Sequence, residues 1–93
     1  MPTLYILLCS DKTYFTGITF DLEKRVTQHQ SGAFKNCYTY IRRPVKLVYF
    51  RKYTDHQKAI TRYYQIKKWS QAKKEAVIHE FEAALPGFSK KKF

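Results

Sequence analysis

Asp21, Arg25 and His29 recur at four-residue intervals within YFTGITFDLEKRVTQH, residues 14 to 29. On a helix, that spacing places a carboxylate, a guanidinium and an imidazole in one row. A guanidinium presents planar, permanently charged donors that match phosphate oxygens, which makes Arg25 a better phosphate ligand than any lysine here. An imidazole one turn later can bond an anion or move a proton near neutral pH. An aspartate at the helix start caps it or orients the arginine. The bland readings are a solvated arginine and a histidine that complements the helix dipole in its last turn.

The elements that must position this row fit a small folded chain. Ninety-three residues, 44% hydrophobic and 17% aromatic, suffice for one domain, and its eight Tyr and seven Phe can fill much of a modest core. We place that domain at residues 1–86, followed by a basic tail at 87–93. TLYILLC and TYFTGIT, separated by the turn-forming SDK, predict an antiparallel hairpin. LEKRVTQHQ predicts a helix with Leu22 and Val26 facing inward, Arg25 and His29 at the boundary with water, and a stop at Ser31–Gly32.

AFKNCYTYIRRP predicts a loop, and VKLVYFRKY a third strand with Val45, Leu47 and Tyr49 opposed to Lys46, Val48 and Phe50. Thr54 and Gln57 have capping-box spacing, which predicts a helix from about Asp55 to Trp69. Ser70 caps a third helix that Pro86 and Gly87 end. The order β, β, α, β, α, α predicts a small α+β sheet with helices packed on it.

Eighteen Lys and Arg against seven Asp and Glu leave a net charge of +11, which calls for a polyanionic partner. The longest apolar run, LYILLC, has only a strand's length, so the charge points to nucleic acid and not to a membrane. Cys9 and Cys37 lack CxxC or histidine companions, which predicts two ordinary thiols and no zinc site. With no export signal at its start, the chain reads as cytoplasmic.

Tyr38, Tyr40, Arg42 and Arg43 mix aromatics with cations in a loop, a pattern that suits a nucleic-acid contact or a structural anchor before strand three. Lys67, Lys68, Lys73, Lys74 and the Lys90 to Lys92 run are a solvated surface or a nonspecific phosphate surface. Tyr63 and Tyr64 have the spacing of helix core or boundary residues. His56 and His79 stand isolated.

Three segments, LYILLCSDKTYFTGITFDLEKRVTQH, YTYIRRPVKLVYF and AITRYYQIKKWSQAKKEAVI, resemble in order and separation the GIY-YIG nuclease family, and in particular its small stand-alone bacterial branch, from about residue 3 to about residue 80. The resemblance implies an α+β fold with a three-stranded antiparallel sheet flanked by about three helices, DNA as partner, and Mg²⁺ or Mn²⁺ as cofactor if the chain is a catalyst. In active members, a tyrosine of the first motif helps deprotonate the attacking water. An arginine on the next helix steadies the phosphate, and a glutamate on a later helix holds one divalent metal. By this likeness Tyr5, Arg25 and His29 are the catalytic candidates. Gly17 is the second-motif glycine, where a phosphate or a neighbouring strand can approach. Tyr40, Arg42, Arg43, Lys67 and Lys68 are candidate nucleic-acid contacts.

Two positions depart from the pattern. Phe15 stands where the second motif usually has tyrosine, and Tyr63 stands where the metal-binding glutamate belongs. Tyrosine is a poor Mg²⁺ ligand at neutral pH. None of the other acids, Asp11, Asp21, Glu23, Asp55, Glu75, Glu80 and Glu82, matches a motif position. The expectation is DNA binding with metal-dependent cleavage weakened or lost. A non-catalytic DNA or RNA module, or a protein that meets acidic partners, is the alternative.

Overall fold

A computed structural model describes residues 1–33 and 35–84. Three strands, β1 (Thr3–Leu8), β2 (Tyr14–Thr19) and β3 (Lys46–Lys52), form one antiparallel sheet in the order β2-β1-β3. Three helices, α1 (Leu22–Ser31), α2 (His56–Lys67) and α3 (Gln71–Ala84), pack on it, and one turn of 3₁₀ helix, Tyr40–Arg42, lies in the loop before β3. The α+β architecture and the element order are those expected from the sequence. The proposed boundary at residue 86, the Pro86–Gly87 stop and the basic stretch at 87–93 lie outside the described residues.

β1 is buried on both faces because it is the central strand and its side chains alternate. Leu4 and Ile6 join Val48, Tyr49, Ile66 and Ile78 on the side of α2 and α3. Tyr5, Leu7 and Cys9 join Val26, Val45 and Leu47 on the side of α1. Each fully buried aliphatic of this kind contributes about 1.5–3 kcal/mol. The sheet is therefore the middle layer of three.

The hairpin turn needs a backbone that strands do not use. Cys9 O accepts from Lys12 N at 3.0 Å, Lys12 takes a left-handed φ of 70°, and Cys9 N donates to Thr13 O at 2.8 Å. The Asp11 carboxylate braces the turn by accepting from Thr13 N and from Thr13 Oγ1. Asp21 is the N-cap of α1 and accepts from Lys24 N, while Gly32, at φ 79°, ends that helix.

Two local expectations are corrected. The cap of α2 is Asp55, not Thr54: its carboxylate accepts from Gln57 N at 2.9 Å, one residue later than the capping-box reading. In β3, simple alternation fails because Ile6 pairs with Tyr49 and Leu7 with Leu47, leaving Val48 as an extra residue in a bulge. Tyr49 therefore faces α2 and α3 with Val48, and Phe50 packs with the opposite cluster. Ser70 does cap α3, by accepting from Lys73 N.

Candidate functional site

Tyr5 pairs with Gly17 across β1 and β2, and β2 is the sheet's edge. A Cβ on Gly17 would come within 2.6 Å of the Tyr5 ring carbon Cζ and of its hydroxyl. The glycine is thus needed by a side chain of this same protein: the phenol lies across the edge strand where a methyl would stand. This gives Gly17 a different occupant from a phosphate.

At the end of that path Tyr5 Oη lies 3.0 Å from His29 Nε2, and His29 Nδ1 lies 2.8 Å from Thr39 Oγ1. All three side chains are buried, Thr39 most completely. The expectation of His29 at the water boundary is corrected: it is only 3% exposed, because Thr39 meets it from the loop and Phe15 packs 5.1 Å away, ring to ring. Phe15 also packs 6.3 Å from the Tyr5 ring and so supplies apolar cover where a tyrosine would add a hydroxyl.

Burial pushes the Tyr5 phenol well above its usual range, Arg25 opposes this, and Cys37 and Tyr63 add to it. Burial pushes the His29 imidazole down, and the Arg25 charge adds to that. Both groups are therefore neutral at neutral pH. Two hydrogen arrangements satisfy the trio: the phenol donates to Nε2 while Nδ1–H donates to Thr39, or every donor is reversed. In the first, His29 is placed to receive a proton from Tyr5. The Tyr5 oxygen is a phenol and not a phenolate, so it is a hydrogen-bond donor before it is a base.

Of the row that opened the sequence analysis, Asp21 is engaged as the cap of α1, while Arg25 and His29 act on Tyr5. Tyr63 reaches the same neighbourhood from α2, close enough to add to the cost of ionising Tyr5. Its ring lies under Lys67, with Nζ 5.1 Å from the centroid. Lys67, with Lys74 of α3, lines a cleft of about 220 Å³ at the edge of β2. Lys68, exposed at the end of α2, does not line that cleft.

The arginine pair of the loop has structural work. Arg42 lies over the Tyr38 ring at 3.8 Å, pairs with Asp11 at 2.9 Å and donates to Tyr38 O. Arg43 donates to Tyr40 O and lies over the Tyr40 ring. Tyr40, Arg42 and Arg43 thus shape the segment that delivers Thr39. Gln30 fixes its far end: its amide donates to Val45 O and accepts from Val45 N. Cys9 and Cys37 are free thiols, as expected; sequence reading missed Thr39, because the threonine of YTYIRRP has no periodic signal that would reveal it.

A divalent metal would need oxygen ligands here, and the residues present do not fit one. Among the described residues no group of three or more His, Cys, Asp or Glu is arranged to hold a metal. Asp11 pairs with Arg42, Asp21 and Asp55 cap helices, and Glu75 accepts from Tyr14 at 3.5 Å.

The family model described as the GIY-YIG catalytic domain matches residues 1–76. The chain belongs to the GIY-YIG family. Curated relatives include the UPF0213 protein of Syntrophus aciditrophicus, 46% identical over 77 residues that span 83% of this chain and 88% of the relative. The UPF0213 protein DP2720 of Desulfotalea psychrophila is 41% identical over 86 residues, 92% of this chain and 76% of the relative. The solution NMR structure of the UPF0213 protein BH0048 from Bacillus halodurans matches with a TM-score of 0.56 and 34% identity, covering 85% of this chain and 84% of that one. GIY-YIG nucleases generally use divalent metals. Among the described residues no helix is long and apolar enough to cross a membrane.

Proposed function

We propose that this GIY-YIG protein binds DNA through its phosphate backbone at Tyr5, Arg25 and His29, and that metal-dependent hydrolysis is weakened or lost because Tyr63 stands at the metal-carboxylate position. The observation that carries the reading is the convergence of these groups from β1 and α1: a buried 3.0 Å Tyr5–His29 contact with the Arg25 charge acting on both. A phosphate entering here would meet a guanidinium and a phenolic donor, and its charge would relieve the cost of holding Arg25 beside a neutral imidazole.

The hydrolytic step needs a deprotonated nucleophile and relief of charge on the phosphate. Arg25 offers the second. For the first, the phenol is held neutral, and among the described residues no group of three or more His, Cys, Asp or Glu is arranged to hold a metal that would acidify it. Both features support the reading of binding without efficient cutting.

One panel tests this. Wild type, Tyr5→Phe, Arg25→Ala and Tyr63→Glu are assayed for binding and for cleavage of single-stranded, duplex and branched DNA with Mg²⁺ or Mn²⁺. Arg25→Ala should weaken binding by about tenfold, the scale of one charge-assisted phosphate contact. Tyr63→Glu should create or raise metal-dependent cleavage that Tyr5→Phe abolishes. A folded, DNA-binding Tyr63→Glu protein that stays inert would show that position 63 is not the vacated metal position.

A further inference from the structure

We propose that the cleft at the outer edge of β2, walled by Lys67 and Lys74, is a second anion subsite that holds the backbone phosphate next to the one at Tyr5, Arg25 and His29. It rests on the phosphate-binding reading above and adds a residue set and a register to it.

The cleft begins where the first site ends. Phe15 covers the Tyr5–His29 contact on the α1 side of the sheet and also lines the cleft. From there the lining passes around the edge strand to Tyr14 and Thr16, whose side chains alternate to the opposite face, and it is closed by Lys67 and Lys74 from the two helices. A strand of nucleic acid that lays one phosphate against Arg25 would therefore cross the edge of β2 to reach the lysines.

Charge sets the type of ligand. Lys67 and Lys74 line the same cleft, and the Lys74 ammonium is pushed down by partial burial and then by the Lys67 charge. Among the described residues neither has a carboxylate partner, since the one ion pair joins Arg42 to Asp11. The neighbouring acid, Glu75, accepts from Tyr14. Two like charges held together without a counterion favour an anion between them. Lys67 also lies over the Tyr63 ring, a contact that leaves its N–H donors available.

An independent observation marks the floor. Thr16 is 95% buried, and its hydroxyl is the buried side-chain polar atom without a hydrogen-bond partner among the described residues. Buried hydroxyls are almost always paired, so an orphan at the base of a cationic cleft points to a ligand oxygen as its partner. Lys68, the next residue along the chain, lies outside the lining. The cation in this cleft is lysine, so its grip on phosphate does not need a metal.

The test uses a fluorescent trinucleotide with two phosphodiesters, either of which is replaced by a neutral methylphosphonate, bound in EDTA across a salt series. Lys67→Ala and Lys74→Ala should each flatten the slope of log affinity against log salt by about 1, whereas Lys68→Ala leaves it unchanged. One methylphosphonate penalty should vanish in the Lys67→Ala/Lys74→Ala protein and the other in Arg25→Ala. Thr16→Val, its fold checked by amide NMR, should lower affinity without altering the slope. If the double variant keeps wild-type affinity and slope while Arg25→Ala weakens binding, the second subsite is refuted and the proposed function stands. Equal effects of Lys68→Ala would reduce the cleft to diffuse attraction and refute it as well. No binding of any trinucleotide by wild type would refute both.

Discussion

His29 meets the Tyr5 phenol on one ring nitrogen and Thr39 on the other, inside a wall that Phe15 closes. Charging it there costs free energy, because burial and the Arg25 guanidinium both oppose the imidazolium. Its folded value therefore lies below the ordinary one of about 6.5, and the unfolded chain takes up the proton first. Stability from this group is full above about pH 6.5 and is lost as pH falls toward the lower folded value. Thermal unfolding between about pH 7.5 and pH 5 should show wild type losing stability on acidification and His29→Gln losing less. Parallel curves would mean His29 is not held neutral. Asp11, whose carboxyl is lowered first by its Thr13 hydrogen bond, titrates outside this window, so its contribution does not confuse the comparison. The resemblance made Tyr5, Arg25 and His29 legible as a set. Thr39 was not, because a loop threonine becomes a histidine's partner only after the loop has folded back over α1.

At the scale of elements, the close pairing of β1 with β2 decides where the phenol can lie. In Gly17→Ala the new methyl would overlap the end of the Tyr5 ring at 2.6 Å. The ring cannot swing away cheaply, being 2% exposed and bonded to His29. Overpacking of this kind costs about 1–3 kcal/mol. Urea unfolding should show that loss in Gly17→Ala, and much less of it when the same change is made in Tyr5→Val, where the space is free. An equal cost in both backgrounds would mean that Gly17 serves its backbone and not the tyrosine. Strand and helix positions were legible because hydrophobic period and caps are local properties. The bulge at Val48 was not, since it exists only in the pairing of β3 with β1. The one-residue shift from Thr54 to Asp55 has a similar origin: both residues suit a cap, and the backbone's exit from β3 chooses between them.

The chain carries a net charge of +11, and its described residues have a Cα radius of gyration of 12.7 Å. That radius is close to the Debye length, about 10 Å at 0.1 M salt and about 30 Å at 0.01 M. At low salt, then, every cation feels nearly every other, and the folded state is destabilised by self-repulsion that the expanded chain relieves. The same field draws a polyanion in. These two effects give salt opposite signs in two measurements on one sample. Raising NaCl from about 10 mM to about 0.3 M should raise the thermal midpoint of the free protein while lowering its affinity for DNA, the second by tenfold or more, as several released counterions require. If the midpoint instead falls with salt, attractive pairs dominate the charge pattern. The sparse acids speak against that: the ion pair Arg42–Asp11 is exposed enough to contribute little. Part of the repulsion retained by the fold lies between Lys67 and Lys74, and a phosphate bound there should stabilise the protein by linkage even as salt weakens the binding.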